Sequence, residues 1–110
     1  MDIILKDLPK ISLNKWYSGG HWSERKRIKD TYKLIVKNQF KTVLSKNKSY
    51  IVDYLFVFKT KPLDASNCVA MLKLIEDIIF EDDKHDIVTT INISSCKGSE
   101  DVVYIKVVTI

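Results

Sequence analysis

The sequence predicts an α+β domain: a small mixed β-sheet in β-α-β-α-β-β order, with two helices packed on it. Three observations lead there. Ile28, Tyr32, Ile35, Val36, Phe40, Val43 and Leu44 recur at helical spacing. Tyr50 to Lys59 is a run of β-branched and aromatic residues, the composition of a buried strand. Two further strand-like runs, Asp86 to Cys96 and Val102 to Ile110, close the chain.

The elements follow in order. Ile3 to Leu13 has scattered apolar residues and contains Pro9, which suits an edge strand, because proline cannot donate to a ladder. Asn14 to Gly20 reads as a loop. Ser23 is placed to cap the long amphipathic helix, which the spacing carries to about Ser45. The strand Tyr50–Lys59 is broken by Lys61-Pro62, and a second helix is predicted from Asp64 or Ala65 to about Ile79. Its apolar positions, Cys68, Met71, Leu72, Ile75, Ile78 and Ile79, cover a wide face. Phe80 to His85 reads as a charged loop. Lys97-Gly98-Ser99-Glu100 is predicted to join the last two strands as a hairpin.

The chain has 110 residues, the length of one domain. No apolar run is long enough to span a bilayer, and the charged first ten residues lack the apolar stretch of a signal peptide. Cys68 and Cys96 stand apart, with no metal-ligand spacing. They read as reduced, largely buried thiols of a cytoplasmic protein. No glycine-rich phosphate loop, zinc spacing or nucleophile elbow is present.

Charge is segregated. Residues 1–62 carry 14 Lys and Arg against 5 Asp and Glu, a net +9; residues 63–110 carry 4 against 9, a net −5. A basic half suits a polyanion, and an acidic half suits a bound cation or a solvated acidic loop. In the basic half, Arg25, Lys26, Arg27 and Lys29 crowd the predicted start of the long helix. Cations are unfavourable there unless an anion such as phosphate joins them. His21 and Trp22 lie immediately before them; Trp22 is expected to pack in the core, Trp16 and Tyr17 to pack at the loop entry, and His85 to lie at the surface.

In the acidic half, Asp64 opens the second helix and Asp82-Asp83 follow its end. Alone, Asp64 is an ordinary helix cap and Asp82-Asp83 an ordinary solvated pair. The pattern as a whole resembles the RusA family of Holliday junction resolvases. Leu63-Asp64-Ala65-Ser66-Asn67, a helix, then Phe80-Glu81-Asp82-Asp83 is similar to that family's Asp-x-Asp-Asn, helix, aromatic, Asp-Asp signature, and Pro9 to Tyr17 is similar to its N-terminal entry. Two positions depart: Ser66 stands where the family has a second Asp, and Ala70 where it has a catalytic Lys. Asn67, Met71, Lys73, Glu76 and Asp77 agree with a phage-type branch reading Asp-x-Ser-Asn…Met-x-Lys-x-x-Glu-Asp.

The resemblance implies a homodimeric, Mg²⁺-dependent endodeoxyribonuclease, with Mn²⁺ able to replace Mg²⁺, acting on four-way junctions. It implies Asp64 and Asp83 as catalytic carboxylates. The metal set is Asp64, Asp82 and Asp83, with Glu76 or Asp77 as a further ligand. Ser66, Ala70, Lys73 and Asp77 fall on one helical stripe, so Lys73 can stand in for the missing lysine; as a plain structural feature it would instead pair with Asp77. His21, Arg25, Lys26, Lys29 and Asn67 are the expected DNA contacts. A branched-DNA-binding protein of the same fold that has lost cleavage is the alternative, and an interaction protein with an acidic docking loop is a more distant one.

Overall fold

A computed structural model describes residues 1–18 and 22–110. The fold is α+β: a four-stranded mixed sheet with three helices. The elements are β1 (Asp2–Lys6), α1 (Leu13–Tyr17), α2 (Trp22–Gln39), β2 (Tyr50–Phe58), a 3-10 turn (Ala65–Cys68), α3 (Val69–Ile79), β3 (Val88–Lys97) and β4 (Val102–Thr109).

The sheet order is β1-β4-β2-β3. β4 pairs antiparallel with both β1 and β2, and β3 pairs parallel with β2. The hairpin expected at Lys97–Glu100 is therefore not one: β2 lies between β3 and β4, and the connection crosses its end. A parallel β2–β3 pair needs a long crossover, and the 3-10 turn and α3 supply it. The crossing is tight. The Gly98 N–H donates to the Phe58 carbonyl at 2.9 Å, and a Cβ on Gly98 would sit 2.4 Å from a Val57 methyl carbon. Sequence reads a turn there, but not which strand the turn must clear.

The strict alternation of β2 explains the layers. Tyr50, Val52, Tyr54, Phe56 and Phe58 are buried, and the residues between them are half-buried. The buried side faces α2 and α3, joined by Ile3 and Leu5 of β1 and Val103, Ile105 and Val107 of β4. No described helix covers the opposite face, where Ile4, Tyr104 and Val108 are exposed.

Several boundaries differ from those expected. β1 ends at Lys6, and α1 occupies part of what reads as strand and loop, started by the Ser12 side chain accepting from the Lys15 N–H. The helix α2 stops at Gln39. Phe40 and Leu44 pack on the core from the following irregular segment, which is how non-helical residues mimic a helical spacing. Ser23 lies inside the first turn of α2 rather than at its cap. Gln39 closes the end of the β1 edge, where its amide accepts from the Lys6 N–H at 2.7 Å and donates to the Lys6 carbonyl at 2.8 Å. Cys68 is buried but Cys96 is exposed, and both are free thiols. No described helix is long and apolar enough to cross a membrane.

Candidate functional site

Three charged side chains converge where α3 meets the loop that follows it. The Lys73 ammonium donates to Glu76 Oε1 at 2.8 Å and to Asp83 Oδ2 at 2.9 Å. Lys73 and Glu76 are one turn apart on α3, so helical geometry places them side by side. Asp83 is brought back by Phe80. That ring is buried against Tyr50 with centroids 5.3 Å apart. The chain around it is pinned to the segment after α2: the Leu44 N–H donates to the Ile79 carbonyl at 2.8 Å and the Glu81 N–H to the Leu44 carbonyl at 2.9 Å. The aromatic residue before the acidic pair is thus an anchor that aims the loop.

Glu76 is the unusual member. It is only 3% exposed, the one charged residue in the described core, although α3 otherwise buries Ala70, Met71, Leu72, Leu74, Ile75 and Ile79. Its second carboxylate oxygen, Oε2, is buried and has no hydrogen-bond partner among the described residues. The Tyr54 hydroxyl, also buried and unpartnered among them, feels the Glu76 and Asp83 charges. Buried polar atoms are almost always paired, so two orphans beside one cluster mark it out.

The electrostatics follow from the contacts. Burial pushes the Glu76 carboxyl above its usual range; the Lys73 hydrogen bond pulls it back, and the adjacent Asp83 carboxylate, by hydrogen bonding to the Glu76 carboxyl and by its charge, pushes it further up. Asp83 moves the other way, held below its usual range first by the Lys73 hydrogen bond. Partial burial disfavours the Lys73 ammonium, but the two carboxylates outweigh this and raise its pKa. Burial is also what pushes the Tyr54 hydroxyl up.

The remaining candidates are distributed. Asp64 is exposed and precedes the 3-10 turn, without a capping hydrogen bond. It stands at the opposite end of α3 from Asp82 and Asp83; eleven helical residues alone span about 16 Å. Among the described residues no three His, Cys, Asp or Glu side chains converge on one point. Asp82 is half-buried and accepts from the Lys84 N–H at 3.2 Å. Asp77 is exposed and forms no ion pair with Lys73, because Glu76 and Asp83 take that ammonium. The expected stripe also breaks at Ala70, which is buried. Ser66 is exposed and Asn67 half-buried in the 3-10 turn.

On the basic side, His21 lies outside the described residues. Trp22 is 75% exposed, not in the core, and Tyr17 is exposed as well, while Trp16 packs on the core. Arg25 is turned inward: it donates to the Trp16 carbonyl at 2.8 Å and lies over the Trp16 ring at 5.5 Å. It therefore ties α1 to α2. Lys26 pairs with Asp30 at 2.9 Å. Lys29 is joined by two residues that the sequence does not single out, Lys33 and Lys37. The three are spaced i, i+4, i+8 and line one groove of about 400 Å³ with Asp30 and with Leu74, Asp77 and Ile78 of α3. None of the three is ion-paired among the described residues. The spacing is legible, but without knowing which side of α2 faces α3 nothing distinguishes these lysines from any solvated face. His85 is exposed, as expected.

Neither a family model nor a curated protein sequence matches the chain.

Proposed function

We propose that the protein is a metal-dependent endonuclease acting on branched DNA, with its reactive centre at Lys73, Glu76 and Asp83. The observation that carries this reading is the buried Glu76 carboxylate joined to Asp83 through one ammonium. A helix that buries a carboxylate on its core face gives up stability that an apolar residue would supply, and sites of chemistry are where such costs are accepted.

The donor set fits Mg²⁺ or Mn²⁺. Both are hard cations that take oxygen ligands, and magnesium commonly uses one or two carboxylates and keeps several waters. Glu76 and Asp83 would hold the ion, with Asp82 next in the chain; Mn²⁺ could replace Mg²⁺. When bound, such an ion supplies an activated water and charge stabilisation for phosphodiester hydrolysis. The chain's own residues do the rest. Glu76, fixed on a helix and walled from solvent, keeps its orientation. Phe80 keeps Asp83 in register with it. Lys73, whose side chain is half-exposed, would meet a phosphate oxygen there and stabilise the charge that develops on it.

The groove lined by Lys29, Lys33 and Lys37 would receive the DNA backbone, with Lys26 and the exposed Trp22 flanking it. Leu74, Asp77 and Ile78 face this groove, and Lys73 and Glu76 point about a third of a turn away around α3. A backbone held by the lysines would thus pass beside the carboxylates.

The proposed homodimer draws its support from a different feature. β3 is an edge strand of ten residues with no proline and no charge from Val88 to Cys96. Such an edge invites pairing, and a second copy of the same strand, antiparallel across a two-fold axis, satisfies it. Asp64 belongs to the end of the sheet where β3 finishes: Ser95 donates to the Leu63 carbonyl at 2.5 Å. Asp83 belongs to the end where β3 begins. Antiparallel pairing would bring the Asp64 end of one protomer alongside the Asp83 end of the other. That arrangement gives Asp64 a role a single chain does not offer, and it matches the paired cuts that four-way junctions require.

The test of substrate class is competition binding without divalent metal. A labelled four-way junction should be retained against a large excess of linear duplex, with affinity falling steeply as salt rises. Equal affinity for junction and duplex would remove the branched-DNA reading. Retention of the junction without cleavage when metal is supplied would instead favour the alternative, a binding protein that has lost its activity with Ser66 and Ala70.

A further inference from the structure

We infer that the Lys73 ammonium occupies a divalent-cation site and is displaced when Mg²⁺ or Mn²⁺ enters between Glu76 and Asp83. The inference rests on the nuclease reading and deepens it by making the site a cation exchanger, and its test is read without any cleavage.

The geometry is that of a cation already in place. One positive centre lies 2.8 Å from a Glu76 oxygen and 2.9 Å from an Asp83 oxygen, bridging carboxylates seven residues apart in sequence. It is an incomplete solution. With both carboxylates ionised, one ammonium leaves a net negative charge. It also leaves Glu76 Oε2 without a partner among the described residues, in a side chain that is 3% exposed. Oε2 belongs to the same carboxylate as the Oε1 that Lys73 holds. A divalent ion balances both charges, and the waters it retains are hydrogen-bond donors of the kind Oε2 lacks. An ordinary surface pair of lysine and glutamate on a helix leaves both heads in water and needs neither.

Lys73 is built to leave. Its side chain is 53% exposed, and its charge sits on a flexible four-carbon stem, so the ammonium can swing into solvent without moving α3. Glu76 cannot follow it. Metal entry would therefore free a positive charge at the mouth of the site, where an incoming phosphate meets it. Lys73 serves as internal counter-ion in the resting protein and as phosphate contact in the loaded one.

The experiment adds Mn²⁺ in small amounts to ¹⁵N-labelled protein and follows paramagnetic broadening of backbone amides. Broadening is expected to centre on residues 73–83 and Tyr54 and to disappear in Glu76→Gln. Lys73→Met, freed of the competing charge, should bind Mn²⁺ at least ~10-fold more tightly. A measurement on the unaltered protein accompanies it, in case Lys73→Met does not fold. The Lys73 ammonium N–H signal should be protected from solvent exchange without metal and lose that protection on adding Mg²⁺. Broadening centred on Asp64 or on Glu100-Asp101 would overturn the inference. So would Mn²⁺ binding to Lys73→Met no tighter than to wild type, or a Lys73 signal indifferent to Mg²⁺. Metal exchange at Lys73 without cleavage of any DNA would sustain this inference and defeat the nuclease reading.

Discussion

Replacing Lys73 by Met removes the counter-ion and leaves the Glu76 carboxylate buried beside Asp83. The size of the effect follows from exposure. Removing one partner of a fully buried pair costs about 3–5 kcal/mol, and breaking a fully exposed one costs about 0–1 kcal/mol. Here one partner is 3% exposed and the other 53%, so the expected loss is about 2 kcal/mol. In a domain this small that lowers Tm by roughly 8–16 °C. Adding Glu76→Leu should reverse the effect. The double variant Lys73→Met/Glu76→Leu carries no buried charge, and leucine continues the apolar face of α3, so its stability should equal or exceed wild type by about 1 kcal/mol. Urea denaturation at pH 7 with shared m-values reads all three proteins. A Lys73→Met stability within about 0.5 kcal/mol of wild type, or a double variant no more stable than the single one, would contradict a buried Glu76 charge held by Lys73.

Three other outcomes are expected. Asp83 has its carboxyl held below its usual range by Lys73, so its contribution to stability is present above the ordinary carboxylate value of 3.8 and is lost as pH falls below it. Acid unfolding of Asp83→Asn should therefore be shallower below about pH 4, and an unchanged acid limb would contradict the assigned pairing. Changing Lys29, Lys33 and Lys37 together to Gln should lower the slope of log affinity for DNA against log salt by about 2–3; an unchanged slope would move the DNA elsewhere. Ile91→Lys places a charge in the middle of the β3 edge, so light scattering should report a dimer for wild type and a monomer for the variant.

How much of this is legible in sequence depends on how local each signal is. The β-branched and aromatic run of β2 and the apolar face of α3 are properties of a few adjacent residues, and the structure agrees with both. The spacing overruns the end of α2 because Phe40 and Leu44 bury themselves by tertiary packing at positions that continue a helical period. The β3–β4 connection reads as a hairpin because strand order is a long-range property: Gly98 signals a tight turn but not the strand it passes. Hydrophobicity alone puts Trp22 inside, yet α2 presents it outward. At the site, Lys73, Glu76 and Asp83 all stand out in the sequence, but spacing pairs Lys73 with Asp77. What decides otherwise is the position of the loop after Phe80, fixed by Leu44 and Tyr50 from distant segments. Asp64 and Asp83 fit one motif while lying at opposite ends of a helix, which spacing alone does not reveal.

The most direct measurement is cleavage of a labelled four-way junction in Mg²⁺ by wild type beside Asp83→Asn. Paired, magnesium-dependent nicks by wild type and none by the folded variant are predicted. Intact junction with wild type in both Mg²⁺ and Mn²⁺, or nicks that persist in Asp83→Asn, would contradict a catalytic centre at Lys73, Glu76 and Asp83.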